Sequence, residues 1–322
     1  SGIAGSTIAN LLSKKYSVEV FDKARGSGGR SSNKKFNNNL SFDHGVQYIS
    51  PKTKEFKNYI DNLHRKKILK YWDGAHIDLT LNSNSKKLKY IGKLGNNDIC
   101  KYQLKKIKQN YLSHIIKIEH KKKIWEITLK DNTKYQFRSL VLTCPYPQLK
   151  KLAKKYLIKR MLNLNVKMQP NITLMLAIQN QKKIPINSIK LEDNILAWIA
   201  NENSKKRFKS NINLWTLQGT LKWSKKNINL YKKNKKIVNQ IEAKFLKFMC
   251  LNKKDIIYKK IHGWKYSYNY SKTSLQSYWN SKIALGVCGD WFIGPKVENA
   301  WQSACDLSKK IKKNPLILNK RV

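Results

Sequence analysis

Acidic residues are scarce in this sequence: 19 Asp and Glu stand against 66 Lys and Arg, giving a formal net charge of +47 over 322 residues. Such an excess of positive charge is typical of nucleic-acid-binding proteins. Those proteins favour arginine on one face, because its planar guanidinium grips phosphates and bases. Here lysine dominates, spread from Lys14 to Lys320 among abundant Asn, Ile and Tyr. Since AT-rich codons encode these four residue types, the composition favours a base-poor genome over a dedicated nucleic-acid surface.

Metal, membrane and hydrolase motifs are also missing. The five cysteines contain no CxxC pair and the six histidines show no HExxH or similar spacing, so we expect free thiols, a reducing cytoplasm and no metal site. No run approaches the roughly 18 consecutive apolar residues that a membrane-spanning helix needs. Ser277, His262 and Asp290 share no recognisable triad spacing. With 41% hydrophobic residues, the chain is expected to form one large or two interleaved globular domains.

The opening segment is typical of half a dinucleotide-binding βαβ unit. Ser1-Gly-Ile-Ala-Gly5 leads into helical spacing, and Tyr16–Phe21 then alternates as a strand and ends at Asp22. Gly2 and Gly5 match the second and third glycines of GxGxxG, which admit a pyrophosphate and close helix packing. Asp22, about 20 positions on, is placed to accept hydrogen bonds from the adenosine ribose. The alternative for Asp22 is a turn-capping role.

A second glycine-rich turn follows, Lys23-Ala-Arg-Gly-Ser-Gly-Gly-Arg30. Its consecutive glycines, Gly29 among them, expose backbone amides, and Lys23 adds positive charge. Arg25 and Arg30 are the only arginines in the first 60 residues of a lysine-rich protein. Arginine in that setting indicates a need for its forked donor, so we predict that both pair with pyrophosphate oxygens.

The third segment lies near the end of the chain. A strand over Ile283–Cys288 is predicted to end at Gly289 and Asp290, and a helix over Val297–Ile311 follows a short loop. Asp290 is placed to bind ribityl hydroxyls. The helix N-terminus, with Val297 and Ala300, is placed to stabilise negative charge that develops at the flavin pyrimidine edge on reduction. Three separate segments thus point to one cofactor, FAD.

The remaining chain alternates strands and helices. We predict a helix over Lys52–Leu69 and a strand-like stretch over Leu40–Ile49. Three β-prone stretches predict a meander, and the middle of the chain predicts further strands with one clear helix, Ile237–Met249. The meander stretches are Ile115–Glu119, Ile124–Leu129 and Lys134–Phe137.

Longer motifs resemble the renalase-type branch of the FAD-dependent amine oxidase superfamily. They are Phe21-Asp-Lys-Ala-Arg-Gly-Ser-Gly-Gly-Arg30, Asp43-His-Gly-Val-Gln-Tyr48, Tyr90-Ile-Gly92, Val141-Leu-Thr-Cys-Pro-Tyr-Pro-Gln148, Trp264-Lys-Tyr266, and Gly289-Asp290 with Val297-Glu-Asn-Ala300. The resemblance implies an α/β fold: a Rossmann-like FAD-binding domain of the glutathione-reductase/amine-oxidase type, interleaved with a mixed-sheet α+β substrate domain. We expect the FAD domain at 1–60, 105–155 and 265–322, and the substrate domain at 61–104 and 156–264.

The resemblance also implies contacts and chemistry. It adds Gly45 and Gln47 to the predicted FAD contacts. Renalase-like enzymes are implied to oxidise isomeric dihydronicotinamide dinucleotides, isomers of NAD(P)H, by hydride transfer to flavin with O2 as acceptor. Other members oxidise amines or desaturate polyenes, so an amine oxidase or a desaturase is the alternative. From a different class, the alternative is a basic, non-catalytic nucleic-acid-binding protein. Oligomeric state is not predicted.

Aromatic residues are expected beside a flavin, because a flat nicotinamide or amine must stack on it. Trp264, Tyr266 and Trp215 are the candidates, and each is equally typical of a sheet core. His262 is a candidate base. Hydride removal from a dihydropyridine needs no base, however, because the ring nitrogen supplies the electron push.

The sequence departs from the family pattern in three places. The first fingerprint glycine and its preceding strand are absent, which predicts an N-terminal truncation and a 322-residue form that binds FAD poorly or not at all. Val46 stands where a small alanine is usual. Gly263 precedes Trp264 where related sequences often have arginine.

Overall fold

A computed structural model describes residues 1–37, 39–81, 83–84, 88–179 and 184–313. The helices within these residues are α1 (Ile3–Leu12), α2 (Lys54–Arg65), α3 (Asp98–Leu104), α4 (Tyr146–Ala153), α5 (Lys159–Leu162), α6 (Leu221–Asn227), α7 (Lys235–Met249) and α8 (Val297–Lys313). The strands are β1 (Glu19–Phe21), β2 (Asn33–Lys35), β3 (Ser41–Asp43), β4 (Leu69–Tyr71), β5 (His76–Asp78), β6 (Ser83–Asn84), β7 (Tyr90–Gly92), β8 (Lys108–Asn110), β9 (Ile115–Lys121), β10 (Ile124–Leu129), β11 (Lys134–Phe137), β12 (Leu140–Leu142), β13 (Gln169–Gln179), β14 (Ser188–Lys190), β15 (Leu196–Asn201), β16 (Ile212–Gly219), β17 (Ile256–Tyr268), β18 (Tyr278–Asn280) and β19 (Leu285–Val287).

The chain divides into two compact units. Unit 1 combines Ser1–Gly29, Ile99–Met168 and the residues from Tyr268 onward, and unit 2 combines Arg30–Asp98 with Gln169–Ser267. The predicted FAD domain differs in placing residues 30–60 with the N-terminal segment. Its boundaries stay a prediction, because compactness does not show what a unit binds.

Unit 1 is built from short parallel pairs and a meander. β1 pairs in parallel with β8, and β12 pairs in parallel with β19, which also carries the antiparallel β18. The meander β9–β11 alternates apolar and polar residues, and its Trp125 packs into a core with Leu149 and Phe292. Helix α1 packs against α8. The parallel pairs with their helices form the half of the molecule in which a dinucleotide site is expected.

Unit 2 is built on a seven-stranded sheet in the order β17-β13-β16-β15-β14-β5-β6. The β13–β16, β15–β16 and β14–β15 pairs are antiparallel, whereas β14 and β5 are parallel, so the sheet is mixed as expected. Helix α7 begins at the Asn234 cap and buries Ile237, Ile241 and Phe245, spaced four residues apart, against the sheet. The amphipathic spacing therefore fixes which face of α7 covers the sheet.

Several elements differ from their predicted bounds. Helix α2 begins after Thr53, whose hydroxyl accepts the Phe56 amide, and Leu69 belongs to β4. Helix α4 was not predicted. Pro145 and Pro147 indicate a chain break, but proline at the first helical turn also starts a helix, because its missing N–H is not needed there. Within the described residues, no helix combines the length and hydropathy required to cross a bilayer.

Candidate functional site

Among the residues that the structure describes, no side chain caps the N-terminus of α1. Gly2 occupies the N-cap position, no side chain accepts a hydrogen bond from the first turn, and that turn holds no acidic residue. The first amides of a helix have no partner inside it, and the helix dipole adds partial positive charge there. This end of α1 therefore fits a phosphate group supplied by a ligand.

The two glycine-rich segments of unit 1 pack on each other. The Gly28 amide donates to the Ser1 carbonyl at 3.0 Å, and Gly2 and Gly28 form a parallel bridge. Gly28 and Gly29 have φ values of +132° and +53°, a region that glycine adopts without strain. A Cβ on Gly29 would lie 3.1 Å from the Gly2 Cα, whereas one on Gly2 meets nothing closer than 3.6 Å. The backbone thus requires glycine at 28 and 29 more strictly than at Gly2.

Gly5 brings α1 against the end of β12. A Cβ on Gly5 would lie 3.0 Å from the Thr143 hydroxyl oxygen, so a larger residue would push the helix away. The backbone carbonyl of the next residue, Cys144, accepts a hydrogen bond from the Trp291 indole N–H at 3.1 Å. Burial raises the pKa of the Cys144 thiol to about 11. Trp291 follows β19, so the carboxyl ends of two parallel strands and the start of α1 are adjacent. Dinucleotides bind at this edge of open α/β sheets.

Asp22 follows β1, and both of its carboxylate oxygens accept hydrogen bonds. Oδ2 accepts from the Ser1 hydroxyl at 2.6 Å, and Oδ1 accepts from the Ala24 amide at 2.9 Å. The carboxylate is therefore a hydrogen-bond acceptor beside the turn that starts α1.

Gly289 and Asp290 follow β19 as expected, but the loop to α8 begins with a 3₁₀ turn over Asp290–Phe292. A Cβ on Gly289 would lie 2.6 Å from the Trp291 indole nitrogen, and the Gly289 amide donates to the Ser303 hydroxyl at 2.9 Å. Asp290 is buried, and α8 begins at Val297 as predicted, with Ala300 buried in its first turn. That turn already contains an acid, Glu298, which distinguishes it from the start of α1.

The basic residues that were predicted to contact FAD are divided between the two units. Lys23 and Arg25 are exposed in unit 1, and Arg25 forms no ion pair or hydrogen bond with any described residue. Arg30 begins unit 2, where its Nη1 donates to the Ser267 carbonyl at 2.8 Å. Exposure leaves the forked donor of Arg25 available to an anion.

Gly45 and Gln47 lie in a turn of unit 2 after β3, so the strand-like prediction for Leu40–Ile49 is wrong beyond Asp43. The Val46 amide donates to the Arg30 carbonyl at 2.9 Å. A Cβ on Gly45 would lie 2.0 Å from that carbonyl oxygen. Glycine is therefore required at 45 by the protein's own packing.

A buried ion cluster beneath this turn was missed from the sequence. Lys205 Nζ lies 2.8 Å from an Asp43 oxygen and 2.9 Å from a Glu202 oxygen, and Arg207 also pairs with Asp43. Burial acts to raise the pKa of Asp43, but Arg207 and Lys205 outweigh it and hold that pKa far below its ordinary value. Burial raises the pKa of Glu202. The spacing of Glu202 and Lys205, three residues apart, is the only local signal for the cluster.

The four substrate-side candidates lie in three separate places. His44, His262 and Trp264 form a ring cluster, with His44 stacked on Trp264 at 5.1 Å and edge-on to His262 at 4.9 Å. Burial, reinforced by His262, lowers the pKa of His44 to about 4, and burial also lowers the pKa of His262. Trp215 instead packs on Phe245 in the core.

Tyr266 is half-buried on β17, with the Lys265 ammonium 5.9 Å from its ring. No described contact connects it to the His44 ring cluster. The described residues contain no group of three or more His, Cys, Asp or Glu side chains able to hold a metal ion.

Known proteins share this fold. The NAD(P)-binding Rossmann-like domain family matches residues 1–63. A candidate protoporphyrinogen oxidase from Exiguobacterium sp. 255-15 has a TM-score of 0.73 at 8% identity, covering 97% of both chains. The A394C mutant of a putrescine oxidase scores 0.68 at 8% identity, again over 97% of both chains. The PF1083 protein from Pyrococcus furiosus scores 0.64 at 11% identity over 97% of this chain and 96% of its own.

The comparisons confirm the predicted fold class, an α/β architecture with a Rossmann-like domain of the amine-oxidase type. The individual FAD contacts, the renalase-type specificity and the N-terminal truncation stay predictions.

Proposed function

We propose that the protein is an FAD-dependent oxidoreductase whose unit 1 binds the dinucleotide. One observation carries the proposal: the uncapped start of α1 packs directly on the Gly28–Gly29 turn, beside the carboxylate of Asp22. Free amides suit the pyrophosphate, and an ionised carboxylate suits the ribose hydroxyls. The residues thus fit FAD.

The other predicted contacts take roles that follow from their chemistry. Arg25 pairs with phosphate oxygens through its exposed guanidinium, and Lys23 adds charge at the same turn. Asp290, buried after β19, accepts hydrogen bonds from the ribityl chain. Val297 and Ala300, in the first turn of α8, are the residues that we assign to the flavin ring.

Bound FAD supplies hydride acceptance and the return of electrons to O2, giving hydrogen peroxide. We propose an isomeric dihydronicotinamide dinucleotide as the substrate. Its oxidation needs no base from the protein, because the ring nitrogen of the dihydropyridine supplies the electron push.

The test is anaerobic reduction of the FAD-loaded, natural full-length protein, followed at the flavin absorbance bands. Isomeric dihydro-NAD(P) is expected to bleach the flavin, whereas putrescine and other simple amines leave it oxidised. Bleaching by amines alone would overturn the substrate and support an amine oxidase, the alternative favoured by the fold shared with a putrescine oxidase. If no FAD bound, the proposed enzymatic function would be wrong. The alternative function, binding of nucleic acid or another polyanion, would then be the one to test.

A further inference from the structure

The sheet of unit 2 is wider than the helix that packs on it. Helix α7 lies over β13, β15 and β16. It ends at Met249, because Cys250 takes a left-handed conformation with φ +50°. The sheet continues past β15 into β14 and β5, which pair in parallel. Its apolar face therefore extends beyond the end of the helix.

A groove lies where the helix ends and the sheet continues. Ile77 and Ile189 are register partners on β5 and β14, and Leu79 has the orientation of Ile77 because side chains alternate along a strand. These three side chains, the segment 184–186 and residues 248–250 at the end of α7 line the groove. Its volume is about 340 Å³.

The lining of this groove consists of apolar side chains and one thiol, that of Cys250. Phe248 and Leu79 are 44% and 39% exposed at its mouth. Single exposed apolar side chains are common on protein surfaces, but a concave group of them is typical of a binding site. Small-molecule sites have volumes of about 300–1,000 Å³, so the groove suits a small ligand. The buried part of that ligand must be apolar, because the walls offer it no polar side chain.

The charges around the groove favour an anion at its mouth. Lys247, in the last turn of α7, is exposed and pairs with no carboxylate among the described residues, whereas Lys244 pairs with Asp193. Asp78 lies between two groove residues but points to the other face of the sheet, where it pairs with Lys190 at 3.2 Å. The end of a helix carries only about half a negative charge, less than the full charge of Lys247. The net charge of +47 acts in the same direction.

We propose that the groove binds the alkyl chain of a medium-chain fatty acid, with the carboxylate outside the groove beside Lys247. An unbranched chain needs no polar partner from the walls. The site lies within unit 2 and includes none of the residues assigned to FAD, so it is independent of the proposed function.

Cys250 reports on occupancy, because its exposed thiol lines the groove. Decanoate at four times its Kd is expected to slow the reaction of this thiol with a maleimide about 5-fold, since only the free protein reacts. Cys250→Ser identifies the reaction phase that belongs to this thiol. Decylamine has the same chain with a cationic head group and is expected to protect less. Equal protection by decylamine would overturn the anionic head group, and no protection by either compound would overturn the site.

Calorimetric titration with hexanoate, octanoate and decanoate separates burial of the chain from attraction between charges. Each added CH₂ is expected to raise affinity about 2- to 4-fold, the effect of partial to full burial. Affinity that does not change with chain length would mean that the carboxylate binds the lysine-rich surface alone, and the proposal would be wrong.

Leu79→Asp places a carboxylate in the groove and is expected to weaken decanoate binding at least about 10-fold. Leu230→Asp is the matched control, because Leu230 is also exposed, at 50%, and lies elsewhere in unit 2. Its affinity for decanoate is expected to equal that of the wild type. Equal losses in the two variants would place the binding outside the groove and contradict the proposal.

Lys247→Gln tests the position of the carboxylate. Decanoate affinity is expected to fall about 2- to 5-fold, the range for an exposed ion pair, while decanol affinity stays unchanged. Lys236→Gln, exposed in the first turn of α7, is the control. A loss as large in Lys236→Gln would overturn the assignment of Lys247.

The same thiol distinguishes a fatty acid from a second copy of the chain. Without decanoate, the reaction rate of Cys250 is expected to be independent of protein concentration. Protection that rises with protein concentration, together with a dimer in light scattering, would identify the groove as an interface between two copies and overturn the fatty-acid assignment.

Discussion

The two glycine turns of this protein are built in opposite ways. In unit 1, the Gly28–Gly29 turn depends on backbone conformation, with positive φ values and a direct bridge to Gly2. In unit 2, the Asp43–Gln47 turn depends on side chains that hydrogen-bond its carbonyls above a buried ion cluster. A short segment can encode the first kind of turn, whereas the second requires partners from distant parts of the chain.

The difference predicts different responses to substitution. Substitutions in unit 1 that preserve the backbone conformation of the turn should be tolerated. They should change the FAD affinity of the protein more than its free energy of unfolding. The unit 2 turn should lose stability when its supports are removed. Five substitutions, most of them with a matched control, test this contrast.

The largest effect is expected from Lys205→Met, which removes one of the two cations that face the buried carboxylates of Asp43 and Glu202 and leaves Glu202 with Arg207 alone, at 4.0 Å. A loss of about 3–5 kcal/mol in the free energy of unfolding is expected, as for other broken buried ion pairs. Lys244→Met removes the exposed pair with Asp193 and should cost less than about 1 kcal/mol. Urea denaturation measures both, and equal losses would contradict the importance of burial.

Gly45→Ala is expected to cost about 2–3 kcal/mol, because its Cβ would lie 2.0 Å from the Arg30 carbonyl oxygen and the backbone must move. Gly26→Ala is the control, since no atom lies within 4 Å of a Cβ there. Thermal denaturation of the two variants compares them directly. A Gly45→Ala protein as stable as wild type would show that the turn is not tightly held.

Gly29→Ala forces a Cβ onto a residue with φ +53° and is expected to cost about 1–2 kcal/mol. Gly2→Ala has ordinary backbone angles and should leave stability unchanged while reducing FAD affinity at least about 10-fold, if the backbone must approach the pyrophosphate. FAD titration and denaturation together separate the two roles. Unchanged FAD affinity in Gly2→Ala would remove Gly2 from the site.

The smallest effect on stability is expected for Arg25→Lys, within about 0.5 kcal/mol for an exposed side chain. FAD affinity should nevertheless fall about 5-fold, because lysine lacks the bidentate donor. Arg138→Lys, also exposed, is the matched control. Equal affinity in both variants would leave Arg25 without a phosphate contact.

Local patterns predicted the fold class, much of the secondary structure of unit 1 and helix α7 of unit 2. The meander, α7 and α8 follow from alternation and helical spacing within single segments, and the position of Asp22 follows from the end of its strand. The ion cluster could not be predicted, because Lys205 and Asp43 lie 162 positions apart and meet only in the folded chain. Gln218 and Trp264 hydrogen-bond carbonyls that lie 173 and 220 positions away, so their support of the turn could not be predicted either. Trp264 was predicted as a substrate-side residue instead.

The central claim is that this protein holds FAD. The most direct measurement is the visible absorbance of the natural full-length protein after incubation with FAD and removal of unbound cofactor. We predict retained flavin at one per chain, with a spectrum shifted from that of free FAD. A colourless protein that retains no flavin under these conditions would contradict the proposed function.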